Sequence, residues 1–150
     1  MIASIRMIRR KHIEIAGAIN GPRQVKVGLP AGKAGSDIVS IAIWNHYGTR
    51  GGGWGGPIPA RPFILQAIQN NRKKYIDALK TSASKLIRGE TTLEVVMSKL
   101  GALAQGDIQN EISSGNFVPN SPVTIALKGS DRPLVDTGRL RNSITWELKR

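Results

Sequence analysis

The sequence predicts one α+β domain: a small antiparallel sheet packed with a long antiparallel helix hairpin and one short helix, joined by extended loops. Three observations lead there. Short segments that alternate apolar and polar residues lie near both ends of the chain, two long segments between them carry apolar residues at helical spacing, and strands and helices are not regularly interleaved as a parallel sheet requires. With 150 residues, 40% of them hydrophobic, the chain can bury one core, so residues 1–150 read as a single domain. Within it are a basic N-terminal arm (1–11), a glycine-rich loop (50–60) and an irregular segment (116–138). No internal repeat is visible.

Taken in order, residues 12–16 (His-Ile-Glu-Ile-Ala) and 25–29 (Val-Lys-Val-Gly-Leu) alternate and flank the turn signal Asn20-Gly21-Pro22, which predicts a pair of strands. Ser36 is placed to cap a short, mostly buried helix through Ile38, Ile41, Ala42 and Asn45, with Gly48 just past its end. Five glycines crowd residues 51–56 around Trp54, a stretch that cannot pack a core by itself. Arg61-Pro62-Phe63 opens a helix whose Ile64, Ile68, Tyr75, Leu79 and Leu86 keep helical spacing to Arg88, where Gly89 closes it. Thr91 and Glu94 have the spacing of a capping box for a second helix, striped by Val96, Leu100, Ile108 and Ile112 and followed by Gly115. Residues 143–148 alternate again, with Ile144, Trp146 and Leu148 on one face, and are expected to join the sheet.

The net charge of +12 is unevenly spread. Residues 1–11 hold four cations and no acid, and residues 61–88 hold seven cations against Asp77. Residues 90–111 hold four acids against Lys99. Such polarity suits a polyanion on one face, or identical subunits meeting head to tail. Arg72, Lys73, Lys74, Lys80 and Lys85 lie off the apolar stripe of their helix, so they are the candidate DNA-facing or subunit-contact residues; a plain solvated face explains the same pattern.

Catalytic readings fare poorly. With no Cys and only His12 and His46, thiol chemistry is excluded and a zinc centre would need several carboxylates. No metal or cofactor is expected. Asp136-Thr137-Gly138 after Leu134-Val135 has the local pattern of an aspartic protease loop. Arg139 stands where that family has Ala or Ser, and only 12 residues follow Gly138, so a simple turn is the stronger reading. The glycine loop lacks the preceding strand and the closing Gly-Lys-Ser/Thr of a phosphate-binding loop. His46 has no obvious Ser or carboxylate partner nearby in sequence, His12 lies within an expected strand, and no nucleophile, base and oxyanion donor assemble. The longest apolar stretch, Ile38–Trp44, falls far short of the ~20 residues that cross a bilayer. The N-terminal charges follow the apolar residues, the reverse of a secretory signal, so a soluble, non-exported protein without membrane partners is expected.

Five segments occur in a telling order: Val27-Gly-Leu-Pro30, Ile41-Ala-Ile-Trp-Asn-His-Tyr-Gly-Thr49, Ile58-Pro-Ala-Arg-Pro-Phe63, Thr124-Ile-Ala-Leu-Lys128, and Pro133-Leu-Val-Asp-Thr-Gly-Arg-Leu-Arg-Asn-Ser-Ile144. Together they resemble the tail-completion and virion-morphogenesis proteins of tailed bacteriophages, small components of the neck or head-tail joint. The resemblance runs from about residue 25 to the C-terminus. That family usually has an acidic residue before the aromatic-Gly-Thr, where this chain has His46.

The resemblance implies a structural, non-enzymatic role: a homo-oligomeric ring in the virion neck, partnered by other neck and tail proteins, with double-stranded DNA passing through without sequence recognition. It places the protein in the virion, and in the host cytoplasm during assembly. Trp54, in the glycine loop, and Arg61, at a loop-to-helix junction, are its candidate interface residues. The alternative is a stand-alone basic nucleic-acid-binding protein. Aromatic residues make up only 5%, which argues against a stacking platform for single strands.

Overall fold

The computed structural model describes residue 17 and residues 19–30, 32–51 and 56–150. The basic arm, the expected strand at 12–16 with His12, and Trp54 lie outside the described residues. The elements are β1 (Gln24–Gly28), α1 (Ser36–Tyr47), α2 (Phe63–Asn70), α3 (Arg72–Ile87), α4 (Leu93–Ser114), α5 (Pro122–Lys128), α6 (Arg139–Ser143) and β2 (Thr145–Lys149). The α+β architecture is the one the sequence predicts. β1 and β2 form a two-stranded antiparallel sheet in which Val25 pairs with Leu148 and Val27 with Trp146. Side chains alternate across a strand, so these four share one face and Lys26, Glu147 and Lys149 the other. The C-terminal strand therefore joins the 24–28 strand, as its alternation requires.

Helix α4 is the spine of the fold. It packs against both strands, α2, α3 and α6. Its start is fixed by Thr92, whose hydroxyl accepts the Val95 amide at 3.4 Å, with Glu94 in the first turn where the helix dipole favours an anion. The cap is thus Thr92, one residue later than the Thr91 box predicted; at this register Glu94 stands at the second helical position and cannot close the reciprocal bond. Toward the sheet, α4 presents Gly101. A methyl group there would sit 2.7 Å from the Trp146 indole, so the missing side chain is what lets β2 lie on the helix. Gln105 and Gln109 donate to the carbonyls of Ile144 and Arg141, at 2.9 and 3.2 Å, tying α6 and the start of β2 along the same helix.

The core gathers Ile38 and Ala42 of α1, Phe63 and Ala67 of α2, Ile108 and Ile112 of α4, and Leu140 and Ile144 around α6. Phe63, Ile108 and Ile144 are fully buried, each removing apolar area worth about 2–3 kcal/mol. Phe63 does anchor the first turn of its helix. Pro62, however, is the residue before that turn, not the first residue in it.

The helix expected over 61–88 is interrupted at Asn71, whose backbone (φ −102°, ψ 8°) leaves helical geometry while its side chain donates to the Ala67 carbonyl at 2.9 Å. This is the local competition by which Asn weakens helix interiors. The antiparallel hairpin survives, with α2 and α3 as its two-part first arm. Ser36 is the first helical residue of α1, not its cap; Gly35 occupies the cap position without a side-chain bond. Nor is α1 mostly buried, since Ile41, Ile43, Trp44 and Tyr47 are exposed. Its end at Gly48 agrees with the sequence: φ is 75°, and a methyl group would lie 2.8 Å from the Ile58 carbonyl oxygen. Beside it, Thr49 and Ile58 exchange backbone hydrogen bonds, closing the neck of the glycine loop.

The 116–138 segment is less irregular than predicted. Ser121 caps α5 by accepting the Thr124 amide at 3.2 Å, with Pro122 in the first turn and left-handed Gly129 at the end.

Candidate functional site

Arg61 is the centre of the most heavily bonded polar cluster. Its side chain is 4% exposed, and every acceptor it meets is neutral. Nε donates to the Val118 carbonyl (2.9 Å), Nη1 to Asn45 Oδ1 (2.9 Å), and Nη2 to the Pro119 carbonyl (3.1 Å) and Asn120 Oδ1 (3.3 Å). Its backbone amide also bonds the Asn45 carbonyl at 2.7 Å. Burial lowers the guanidinium's pKa from its usual value, yet an arginine so placed stays charged. Arg61, a candidate interface residue, spends these donors inside the chain, binding α1 to the segment before α5. A helix start accounts locally for Pro62 and Phe63, whereas the Val118, Pro119 and Asn120 acceptors of Arg61 lie 57 to 59 residues away in sequence.

The basic helix divides. Lys74 Nζ is 2.7 Å from Asp107 Oδ1, and Asp107 is buried in α4. Lys74 thus serves the α3–α4 contact while its side chain stays about half exposed, which sets it apart from the other cations of the helix. Tyr75 lies beside the same carboxylate. Its hydroxyl and Asp107 Oδ2 are both buried without a formed hydrogen bond, and burial first, then the Asp107 carboxylate, raises the tyrosine pKa well above its ordinary value. Arg72, Lys73, Lys80 and Lys85 are exposed and make no ion pair among the described residues. The acidic segment is also partly spent, since Glu90 pairs with Arg88 at 2.9 Å and Asp107 with Lys74. That weakens the expected charge opposition between 61–88 and 90–111.

These two lysines give a paired expectation. Lys74→Ala strands a buried carboxylate, and since the lysine is half exposed a destabilisation of about 1–3 kcal/mol is expected. Lys73→Ala, on the outer surface, is expected to stay within ~0.5 kcal/mol of the parent. Urea denaturation of both proteins checks the difference, and equal effects would contradict the ion-pair assignment.

Asp136 and Thr137 are exposed, and Gly138 takes the left-handed conformation (φ 75°) ahead of α6. They border a cavity of about 330 Å³ in which Asp136 is the one carboxylate among the lining residues. A protease dyad needs two. Asp37, nearby on α1, is bonded at 2.7 Å by Arg139, the residue that breaks the protease pattern; the Ile38 amide and then Arg139 hold its carboxyl below the usual range.

His46 stacks edge-on against Phe63 and Tyr47, with Nδ1 buried and unbonded. Burial lowers its pKa, so the fold favours the neutral ring. A base with a depressed native pKa contributes stability above its unfolded value of ~6.5 and loses it as pH falls. Denaturant titrations between pH 8 and 5 should show stability decreasing on the acid side, with the decrease reduced in His46→Phe; no reduction would place the titrating group elsewhere.

The sequence reading missed an apolar surface. An open groove of about 630 Å³ runs between α1 and α2, walled by Val39, Ile43, Tyr47, Leu65 and Ile68. Along α3, Ile76, Leu79, Ala83 and Ile87 are all exposed. The signal lies in the 3-4-4 spacing of those residues, which overlaps in sequence with the apolar stripe of Tyr75, Leu79 and Leu86.

No helix among the described residues is long and apolar enough to cross a membrane, and no group of three or more potential metal ligands occurs among them. Compared with family models, curated proteins and solved structures, the chain matches none.

Proposed function

We propose that the chain is a structural virion component of a tailed bacteriophage, a tail-completion or head-tail joining protein that works as a homo-oligomeric ring in the neck and helps connect tail to head for DNA passage. One observation carries the reading beyond the motifs themselves: segments far apart in sequence, which together made the resemblance, are neighbours in the fold. Arg61 of the Ile58–Phe63 segment holds Asn45 of the Ile41–Thr49 segment, and Asn45, Thr124, Lys128 and Thr137 border one cavity. The segments thus lie in one packed unit, and the bonds between them hold the chain together. In this reading the protein is not an enzyme, needs no cofactor and acts in the virion, after assembly in the host cytoplasm.

Deleting the coding sequence from a phage that carries it should yield filled heads and separate tails, restored to joined particles by the protein supplied in trans. Normal infectious particles without it would refute the proposal. The second reading, a stand-alone basic nucleic-acid binder, rests on the net charge of +12 and on Lys73 and Lys80, which are exposed and make no ion pair among the described residues. Under the assembly reading, duplex binding by the free protein is weak and loses roughly tenfold or more between low and physiological salt. Tight duplex binding by the protein alone at physiological salt, abolished by Lys73→Glu with Lys80→Glu, would favour the second.

A further inference from the structure

We propose that the exposed ridge of α3 on one copy seats in the α1/α2 groove of the next copy, a head-to-tail contact. It names the subunit contact of the assembly reading and rests on that reading for its biological use. Residues 76, 79, 83 and 87 follow one another at steps of three, four and four, so on a helix their side chains stay within about 80° and form a single apolar edge. This is the pattern by which an amphipathic helix enters a groove. Exposure is 41% at Ile76 and Leu79 and 64% at Ile87, while the groove's Ile43, Leu65 and Tyr47 are 51%, 52% and 75% exposed.

Shape, area and stoichiometry favour a second copy as the occupant. The wall of the groove from Val39 to Tyr47 is about 12 Å long, and the ridge from Ile76 to Ile87 spans about 17 Å at the helical rise, so the ridge fills the groove and extends about one turn past it. At about 200 Å² per large side chain, the six exposed residues offer roughly 600 Å² of apolar surface. An ordinary specific interface buries ~1,200–2,000 Å² in total, a little over half of it apolar, so ridge and groove together approach what one contact needs. Every chain carries one ridge and one groove, so a second copy satisfies both features at once, and the two being different surfaces makes the contact heterologous, able to close into a ring.

The charge supplies a signature. Each copy carries +12 at neutral pH, and the ridge is flanked by Lys73 and Lys80. Like charges oppose this association, and added salt screens them, so self-association should tighten as salt rises. DNA binding responds with the opposite sign.

The test uses the full chain in sedimentation-velocity and light-scattering measurements, with circular dichroism to verify folding. A ridge variant (Leu79→Glu with Ile87→Glu) and a groove variant (Tyr47→Glu with Leu65→Glu) change exposed positions only. The wild type is expected to associate, several-fold more tightly at about 500 mM than at 50 mM salt. Each variant alone should be monomeric. Mixed one to one, they should form a heterodimer that grows no further, because the ridge variant keeps its groove and the groove variant its ridge. Folded variants that stay monomeric when mixed, a wild type monomeric at several hundred micromolar, or association weakened by salt would each overturn the contact. If association follows this pattern while phage lacking the protein still assemble, the contact stands and the neck assignment falls.

Discussion

Arg61→Ala is expected to cost about 3–5 kcal/mol, lowering the melting temperature by roughly 10 °C. Removing the guanidinium strips partners from the carbonyls of Val118 and Pro119 and from the side chains of Asn45 and Asn120, and opens a cavity at a 4%-exposed position. Hydrogen bonds to a charged group contribute ~1.5–3 kcal/mol each and are not additive, so the cluster is valued as a unit. Arg61→Lys keeps the charge but cannot present four donors in a planar fork, and should recover less than half of the loss. Thermal denaturation of both variants checks this, and a cost below ~1 kcal/mol for the alanine variant would contradict the description of the cluster.

Gly101→Ala should destabilise by about 2–3 kcal/mol, against the ordinary rule for helices. In an open helical position glycine to alanine gains up to ~1 kcal/mol from propensity alone. At Gly101 the added methyl would lie 2.7–2.9 Å from the Trp146 ring, which sits between α4 and the sheet, so the ring and β2 must move. Gly106, one and a half turns along the same helix, has nothing within 4 Å of the equivalent point. Gly106→Ala is therefore the internal control, expected to raise the melting temperature. Equal responses at the two positions would show that β2 does not rest on α4 as described.

Period was the most legible property of the sequence. The 24–28 and 145–149 strands, the helix ending at Gly48 and the long α4 all announce themselves through alternation, helical spacing or a terminal glycine, which are local and read directly. Features decided by competition were harder. Thr91 and Thr92 are both acceptable caps by residue type, and the structure uses the second. Asn71 interrupts its helix through a side-chain bond to Ala67 that spacing does not reveal. At the candidate site the charges were visible but their partners were not: Lys74 meets Asp107 across 33 residues, and Arg61 meets its acceptors across up to 59. Such pairings depend on how α3 packs on α4 and how the 118–120 segment lies against α1, so a helix wheel could place Lys74 on a surface without showing that a buried carboxylate awaits it there. The exposed ridge escaped for the converse reason, since spacing alone does not say which of two apolar edges of α3 is covered.

An electron-microscopy reconstruction of the head-tail junction, in a phage that carries this chain, should show a closed ring of copies surrounding the DNA path, with α1 and α2 of each copy against α3 of its neighbour. Complete, joined particles whose junction contains no copy of the chain would contradict it.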